Sequence, residues 1–336
     1  MSTWPGTGGQ QIFDDALAEF AAQARNPAVT AIEARLRTPV RVAVVGRCGV
    51  GRGAVAAALA GAGVTVVADA GCADIQVHVV AEALKPEERA ALRAVSASVA
   101  TLVVLNKADL TGADRGGPLR CAERRAAEIA STVGLRVVPM VAHLADAHLD
   151  NDEVAALGVL AVTPVDMTST EAIVGSHHPL PADLRARLLE KLDRFGIAQS
   201  ILAVADGQAA PAVVRQLRAC SRIDQVLECL EAVAAPVRYR RLQGALRELR
   251  TLAAQSGDDE LDAFLNGDEV VIAVMAAAVD VVQASGLDVD RGDDADAHAR
   301  RAVRFHAYAR GPVEAIHHRC ATDIARGSLR LLGRTR

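Results

Sequence analysis

The chain reads as an α/β domain, a parallel sheet flanked by helices, followed by an all-α C-terminal domain. Three observations carry that expectation. Apolar runs of strand length alternate with helical patterns from about residue 40 to residue 145, as in a parallel sheet covered on both faces. After about residue 180 the strand signal fades and apolar stripes of helical period take over. At 336 residues the chain is long enough for two domains with cores of their own.

The elements follow in order. Residues 1–10 are rich in Gly and Pro and are expected to be a mobile tail. Residues 11–36 read as one or two helices with a break at Asn26-Pro27. Val40–Val45 is an uninterrupted apolar strand, and Ala54–Leu59 a short helix closed by Gly61 and Gly63. Val64–Ala68 reads as a strand ending at Asp69, and Ile75–Ala81 as another. Pro86 suits the first position of a helix over 86–96, where Glu87 and Glu88 complement the positive end. Ala100–Leu105 is a strand, Ala122–Thr132 a helix and Leu135–Val141 a strand. Residues 150–180 are ambiguous and contain a strand-like run, Val159–Val165. Leu184, Leu188, Leu189, Leu192 and Phe195 share one helical face, with Gly196 as the expected stop. Val226–Val233 gives another stripe, and Pro236 is expected to open a long helix carrying Leu242, Leu246, Leu249 and Leu252. The expected division is a tail with helices over 1–38, an α/β domain over 39–180 and a helical domain over 181–336.

Composition narrows the function classes. A net charge of -4 and 2% aromatic residues argue against nucleic-acid binding. Six cysteines without CxxC spacing point to a reducing cytoplasm rather than a disulfide framework. The start of the chain lacks the basic and apolar regions of a secretory signal. The longest apolar run, Val270–Val279, is too short to span a bilayer, and nothing supports peripheral membrane contact.

The first strand runs into Gly46-Arg47-Cys48-Gly49-Val50-Gly51-Arg52-Gly53 and then a helix. A phosphate loop reads G-x-x-x-x-G-K-[ST]: backbone N–H groups and the helix start wrap phosphates, Lys reaches the outer ones, and the hydroxyl binds magnesium. Gly46 and Gly51 have the right spacing, but Arg52 replaces Lys and Gly53 replaces Ser/Thr. A guanidinium fork is not equivalent to a compact ammonium, and glycine offers a metal nothing. Magnesium is therefore not expected. From Arg52 to Asp69 is only 17 positions, enough for one strand and no switch loop. Asp69-Ala70-Gly71 is one residue short of D-x-x-G.

The strand over 100–105 ends in Asn106-Lys107-Ala108-Asp109. This N-K-x-D tetrapeptide, with IQVHVVAEALKPEERAAL before it and the loop at 46–53, resembles the middle of a translation-factor-class P-loop GTPase of the Era or dynamin-like kind. The resemblance covers roughly residues 40–145. The segment from RARLLEKLDRFGIAQSIL to VRYRRLQGALREL resembles in texture the helical part of actinobacterial dynamin-family proteins. The resemblance implies a GTPase domain joined to helices, with GDP or GTP as ligand. It further implies that Asp109 accepts two hydrogen bonds from the guanine edge, that the Lys107 stem lies over the ring, and that Asn106 braces the phosphate loop. Ala142, after the next strand, is a weak match to the family's ring contact. The expected protein is a pseudo-GTPase that binds guanine nucleotide weakly or not at all and has no catalytic residue. It would act through a protein partner, an intact GTPase relative or a second copy of itself.

Other readings stay open. Gly46, Gly49 and Gly51, with Asp69 ending the next strand, also read as an NAD(P)-binding Rossmann unit, in which Asp69 accepts from a ribose hydroxyl. A GTPase completed in trans and a nucleotide-free scaffold complete the set. Smaller signals have blander explanations. Arg238, Arg240, Arg241, Arg247 and Arg250 read as a solvated face, and Asp288–Asp296 as an acidic loop that fails the EF-hand pattern. His317, His318 and Cys320 do not share one helical direction and are not expected to hold a metal.

Overall fold

The structure, a computed structural model, describes residues 8–95, 99–112 and 115–335. Most of the expected tail (1–7) and the last position of the expected helix over 86–96 lie outside the described residues. Helices α1 (Gly9–Ala24) and α2 (Pro27–Leu36) come first. Asn26 separates them: its side chain accepts the Ala28 N–H at 3.0 Å, and Pro27 opens α2 with its φ already helical.

The α/β alternation then runs β1 (Arg41–Val45), α3 (Arg52–Gly61), β2 (Thr65–Val67), β3 (Ile75–Ala81), α4 (Pro86–Val95), β4 (Ala100–Asn106), α5 (Pro118–Val133) and β5 (Val137–Pro139). Every strand pairing is parallel, in the order β2-β1-β3-β4-β5. The register sets Val45 beside His78 and Ala81 beside Asn106. The chain goes to one side of β1 for β2 and to the other side for β3. Such an order leaves a crevice at the carboxyl ends of β1 and β3, where ligands of open α/β sheets bind. Single 3₁₀ turns follow β2 (Ala70–Cys72), β4 (Ala108–Leu110) and β5 (Ala142–Leu144).

Only helices follow: α6 (Asn151–Val162), α7 (Thr170–Gly175), α8 (Ala182–Ala205), α9 (Ala210–Ser221), α10 (Ile223–Ser256), α11 (Asp259–Asn266), α12 (Asp268–Ala284), α13 (Ala295–Ala309) and α14 (Ala315–Arg334). No described helix is long and apolar enough to cross a membrane.

Several boundaries differ from the sequence reading. The strand-like run at 159–165 is mostly the end of α6. Asp150 and Glu153 close a reciprocal capping box that starts this helix, and Ala156, Leu157 and Leu160 give it a buried face. Gly196 does not stop α8; it is buried within it, packed against Leu144. The break in α8 falls at Asp193, where φ is 53° and ψ is 178°. Pro236 does not open a helix but sits inside the 34-residue α10. Its missing N–H costs one backbone bond, while its carbonyl accepts from Arg240 Nε at 3.1 Å.

The domain division also moves. One compact unit is Arg41–Leu230, and the other joins residues 1–40 to Glu231–Arg336. The expected boundary at 180/181 fails because α8 and α9 complete the sheet's own core. Leu188, Leu192, Ile197, Val213 and Leu217 belong to the same buried cluster as Val103, Leu105 and Leu144. The N-terminal helices likewise share a core with the C-terminal ones, through Phe13, Leu17, Ile32, Leu242, Val274 and Ile324.

That helical unit contains a fully buried cation. Arg301 donates from Nε to Ser328 Oγ (2.9 Å) and from Nη1 to the carbonyls of Asp290 (2.8 Å) and Gly292 (3.2 Å). Its Nη2 donates to His298 Nδ1 at 2.6 Å, which requires an imidazole unprotonated at that nitrogen. Burial, and then the Arg301 charge, hold His298 below the usual histidine pKa. The folded pKa is depressed, so this stability is complete above the unfolded value of about 6.5 and is lost as pH falls through the folded one. Replacement His298→Gln keeps a side-chain acceptor but removes the titration. The melting temperature of the wild type should fall more steeply from pH 7 to pH 5.5 than that of the variant, measured by circular dichroism.

Candidate functional site

The carboxyl edge of the sheet gathers three loops, each following a strand. After β1, the backbone turns through Gly46 (φ 146°) and Gly51 (φ 87°) into α3. Glycine is needed at both positions for a second reason. A Cβ at Gly46 would lie 2.4 Å from the Val79 carbonyl oxygen of β3, and one at Gly51 would lie 2.4 Å from Asn106 Nδ2. Between them, Val50 is buried and anchors the loop from beneath. No side chain caps α3, and its first turn carries no acidic residue. The positive end of the helix is thus left for an anion.

The side chains around this loop divide into committed and free groups. Arg47 turns back to α4 and donates from Nε to Glu88 at 3.1 Å. Glu88 is buried and also accepts the Lys85 N–H at 2.9 Å. Arg47 therefore fastens the loop to α4. Arg52, by contrast, is exposed at the start of α3 and makes no hydrogen bond or ion pair among the described residues. Cys48, Gly49 and Gly53 are also exposed, and the space around Gly49 and Gly53 is open.

Asn106, the last residue of β4, is only 3% exposed. Its Nδ2 donates to the Val50 carbonyl at 3.0 Å, and its Oδ1 accepts the Ala142 N–H at 3.1 Å. One amide thus ties the loop after β1 to the turn after β5. Backbone bonds continue the seam: Ala108 N–H donates to Met140 O (3.1 Å) and Met140 N–H to Leu105 O (2.8 Å). The Ala142 N–H, as a candidate ring contact, is committed to Asn106.

Lys107 stands in the left-handed region (φ 56°, ψ 42°), which turns the chain sharply out of β4 and into the 3₁₀ turn that carries Asp109. Asp109 is half-buried, and among the described residues its carboxylate is hydrogen-bonded only to its own N–H. Burial raises its pKa above the usual carboxylate range, and the Asp193 charge adds to this; Lys107 and His143 offset part of it. A half-buried carboxylate with no hydrogen-bond donor outside its own residue among the described residues has room to accept donors such as the N1–H and N2–H of a guanine edge. Asp193, at the break in α8, is a neighbour that the sequence reading missed. It lay inside an ordinary helical stripe, and only its positive φ marks it.

Asp69 does follow the strand beside β1, but it is spent locally. Its carboxylate accepts the Gly71 N–H (2.8 Å) and the Cys72 thiol (3.3 Å), closing the turn after β2. The Gly71 bond holds its pKa below the usual range. Magnesium does not fit these residues: Gly53 has no hydroxyl and Asp69 is engaged in its own turn. No group of three His, Cys, Asp or Glu suited to a metal occurs among the described residues.

The smaller signals resolve into structure. Arg238 pairs with Glu231, Arg241 donates to Thr38 O, and Arg247 to Gln243 O. Asp290 accepts the Gly292 N–H and Asp294 caps α13. Cys320 is buried, which pushes its thiol up to about 12, and His318 Nδ1 meets the Ala309 carbonyl at 2.8 Å.

Comparisons with family models, curated proteins and solved structures find no match to this chain. The functional reading rests on its own residues and geometry.

Replacing Asn106 with Ala leaves the Val50 carbonyl and the Ala142 N–H buried without a partner. The expected loss of stability is about 2–3 kcal/mol, measured by urea denaturation. Asn106→Asp retains an acceptor for Ala142 but sets a carboxylate against the Val50 carbonyl, and should not restore the loss.

Proposed function

We propose that this chain is a degenerate GTPase-like protein, a pseudo-GTPase related to the Era and dynamin-like kind, that senses guanine nucleotide without hydrolysing it. The observation that carries the reading is the Asn106 amide. It joins a phosphate-type loop to the strand end that presents Asp109, the link an N-K-x-D loop needs to hold base and phosphates in one ligand. The strand order agrees: the loop follows β1, an interior strand flanked by β2 and β3, Asn106 ends β4, and both open at the same sheet edge.

Recognition in this proposal is divided among named groups. Asp109 accepts from the guanine edge, and the Lys107 stem covers the ring. The backbone between Gly46 and Gly51, the start of α3 and the free Arg52 take the phosphates. Binding is weak, because a lone guanidinium replaces both the Lys and the metal of a working loop. Hydrolysis rests on positioning and metal charge, and the chain supplies neither a hydroxyl at 53 nor a free Asp69. Output is therefore assigned to a protein partner in the cytoplasm, an intact GTPase relative or a second copy.

The dinucleotide reading is less well supported. Asp69, its ribose ligand, closes its own turn, and β3 lies beside β1 rather than continuing past β2 as in the common 3-2-1-4-5-6 order.

Isothermal titration with GDP and GTP, with and without Mg²⁺, provides the test. Saturable binding is expected that magnesium barely changes and that Asp109→Ala weakens at least tenfold, about 1.4 kcal/mol. Binding of NAD(H) in place of guanine nucleotides, or guanine binding indifferent to Asp109→Ala, would sink the proposal.

A further inference from the structure

A second candidate site lies in the helical unit, in a groove of about 710 Å³ formed by the end of α13, the second half of α14 and the start of α12. Its lining includes the apolar or small residues Ala309, Ala325, Leu329 and Gly333, with Thr322 and His306 beside them. Its walls are cationic. Arg326, Arg330 and Arg334 recur at every fourth residue of α14, so they line one side of the helix over roughly 12 Å. Asp268 neutralises Arg330 at 2.9 Å. Arg326 and Arg334 are exposed and make no hydrogen bond or ion pair among the described residues. The half-buried Asp323 carboxylate offsets part of the Arg326 charge, so the groove keeps a surplus of positive charge in a chain whose net charge is -4. Leu329, between the two arginines, is 58% exposed.

An exposed leucine set between exposed arginines is an apolar spot with a polar, cationic rim. We infer that this groove binds an acidic amphipathic helix of a protein partner. Carboxylates about two turns apart on such a helix match the spacing of Arg326 and Arg334, and an apolar residue between them covers Leu329. The surplus of arginine over carboxylate around Leu329 selects an acidic partner, and the regular spacing of the arginines along α14 suits a helix. A nucleic acid would find no aromatic platform there.

The test uses the full chain and a labelled synthetic helical peptide of about 16 residues with Glu at i, i+4 and i+8 and Leu between them. Fluorescence anisotropy should show saturable binding that weakens at least tenfold when NaCl rises from about 0.05 to 0.5 M. The double replacement Arg326→Gln with Arg334→Gln, which keeps long polar side chains, should weaken it at least tenfold. Leu329→Asp should abolish it, with circular dichroism unchanged in each variant. A scrambled peptide of the same composition should bind at least tenfold more weakly. No saturable binding, equal binding by the glutamine variant, or equal binding of the scrambled peptide would overturn the inference. Arginine-dependent binding to phosphatidylserine vesicles without peptide binding would also overturn it and reassign the groove to a membrane surface.

Discussion

The α/β unit depends on one buried side-chain amide. Asn106 ends β4 and satisfies a carbonyl of the loop after β1 and an N–H of the turn after β5. β3 lies between β1 and β4 in the sheet, so no backbone ladder connects those two loops. A side chain must do it, and it must be one that donates and accepts in a single plane. Close approach follows from the same requirement: the amide sits where a Cβ on Gly51 would be. The glycine, the positive φ of the loop and the Asn are one constraint expressed at three positions.

In the proposed reading, the sheet edge around that fixed point has the backbone of a nucleotide site without its side-chain chemistry. The loop conformation, the uncapped start of α3 and the half-buried Asp109 carboxylate are present. The lysine, the hydroxyl and the free aspartate are not: Arg52 and Gly53 stand in the loop, and Asp69 is folded into its own turn. Such a loop without a lysine, a hydroxyl or a free aspartate fits the proposed binding or sensing better than turnover, since hydrolysis needs charge placed on the transferring phosphoryl group.

Much of this was legible in the residues, and the gaps have physical causes. Buried parallel strands read as continuous apolar runs, so β1, β3 and β4 stood out, and N-K-A-D at the end of β4 fixed Asn106 and Asp109 as candidates. Val159–Val165 misled because a β-branched run has no period of its own; the signal that decides it, the Asp150–Glu153 capping box, lies upstream. Pro236 misled because one missing N–H is tolerated in a helix of 34 residues held by burial of Leu242, Leu246 and Leu249. The domain division was not readable at all. Which of two cores a helix joins is decided by packing between residues far apart in sequence, such as Leu192 with the sheet core or Phe13 with the C-terminal helices. Asp193 beside Asp109 was hidden for the same reason.

Hydrogen–deuterium exchange with and without GDP most directly tests the claim that one ligand spans both loops. Protection is expected together in residues 46–55 and 106–112, the two segments joined through Asn106. Protection of only one segment, or of neither while GDP is bound, would contradict it.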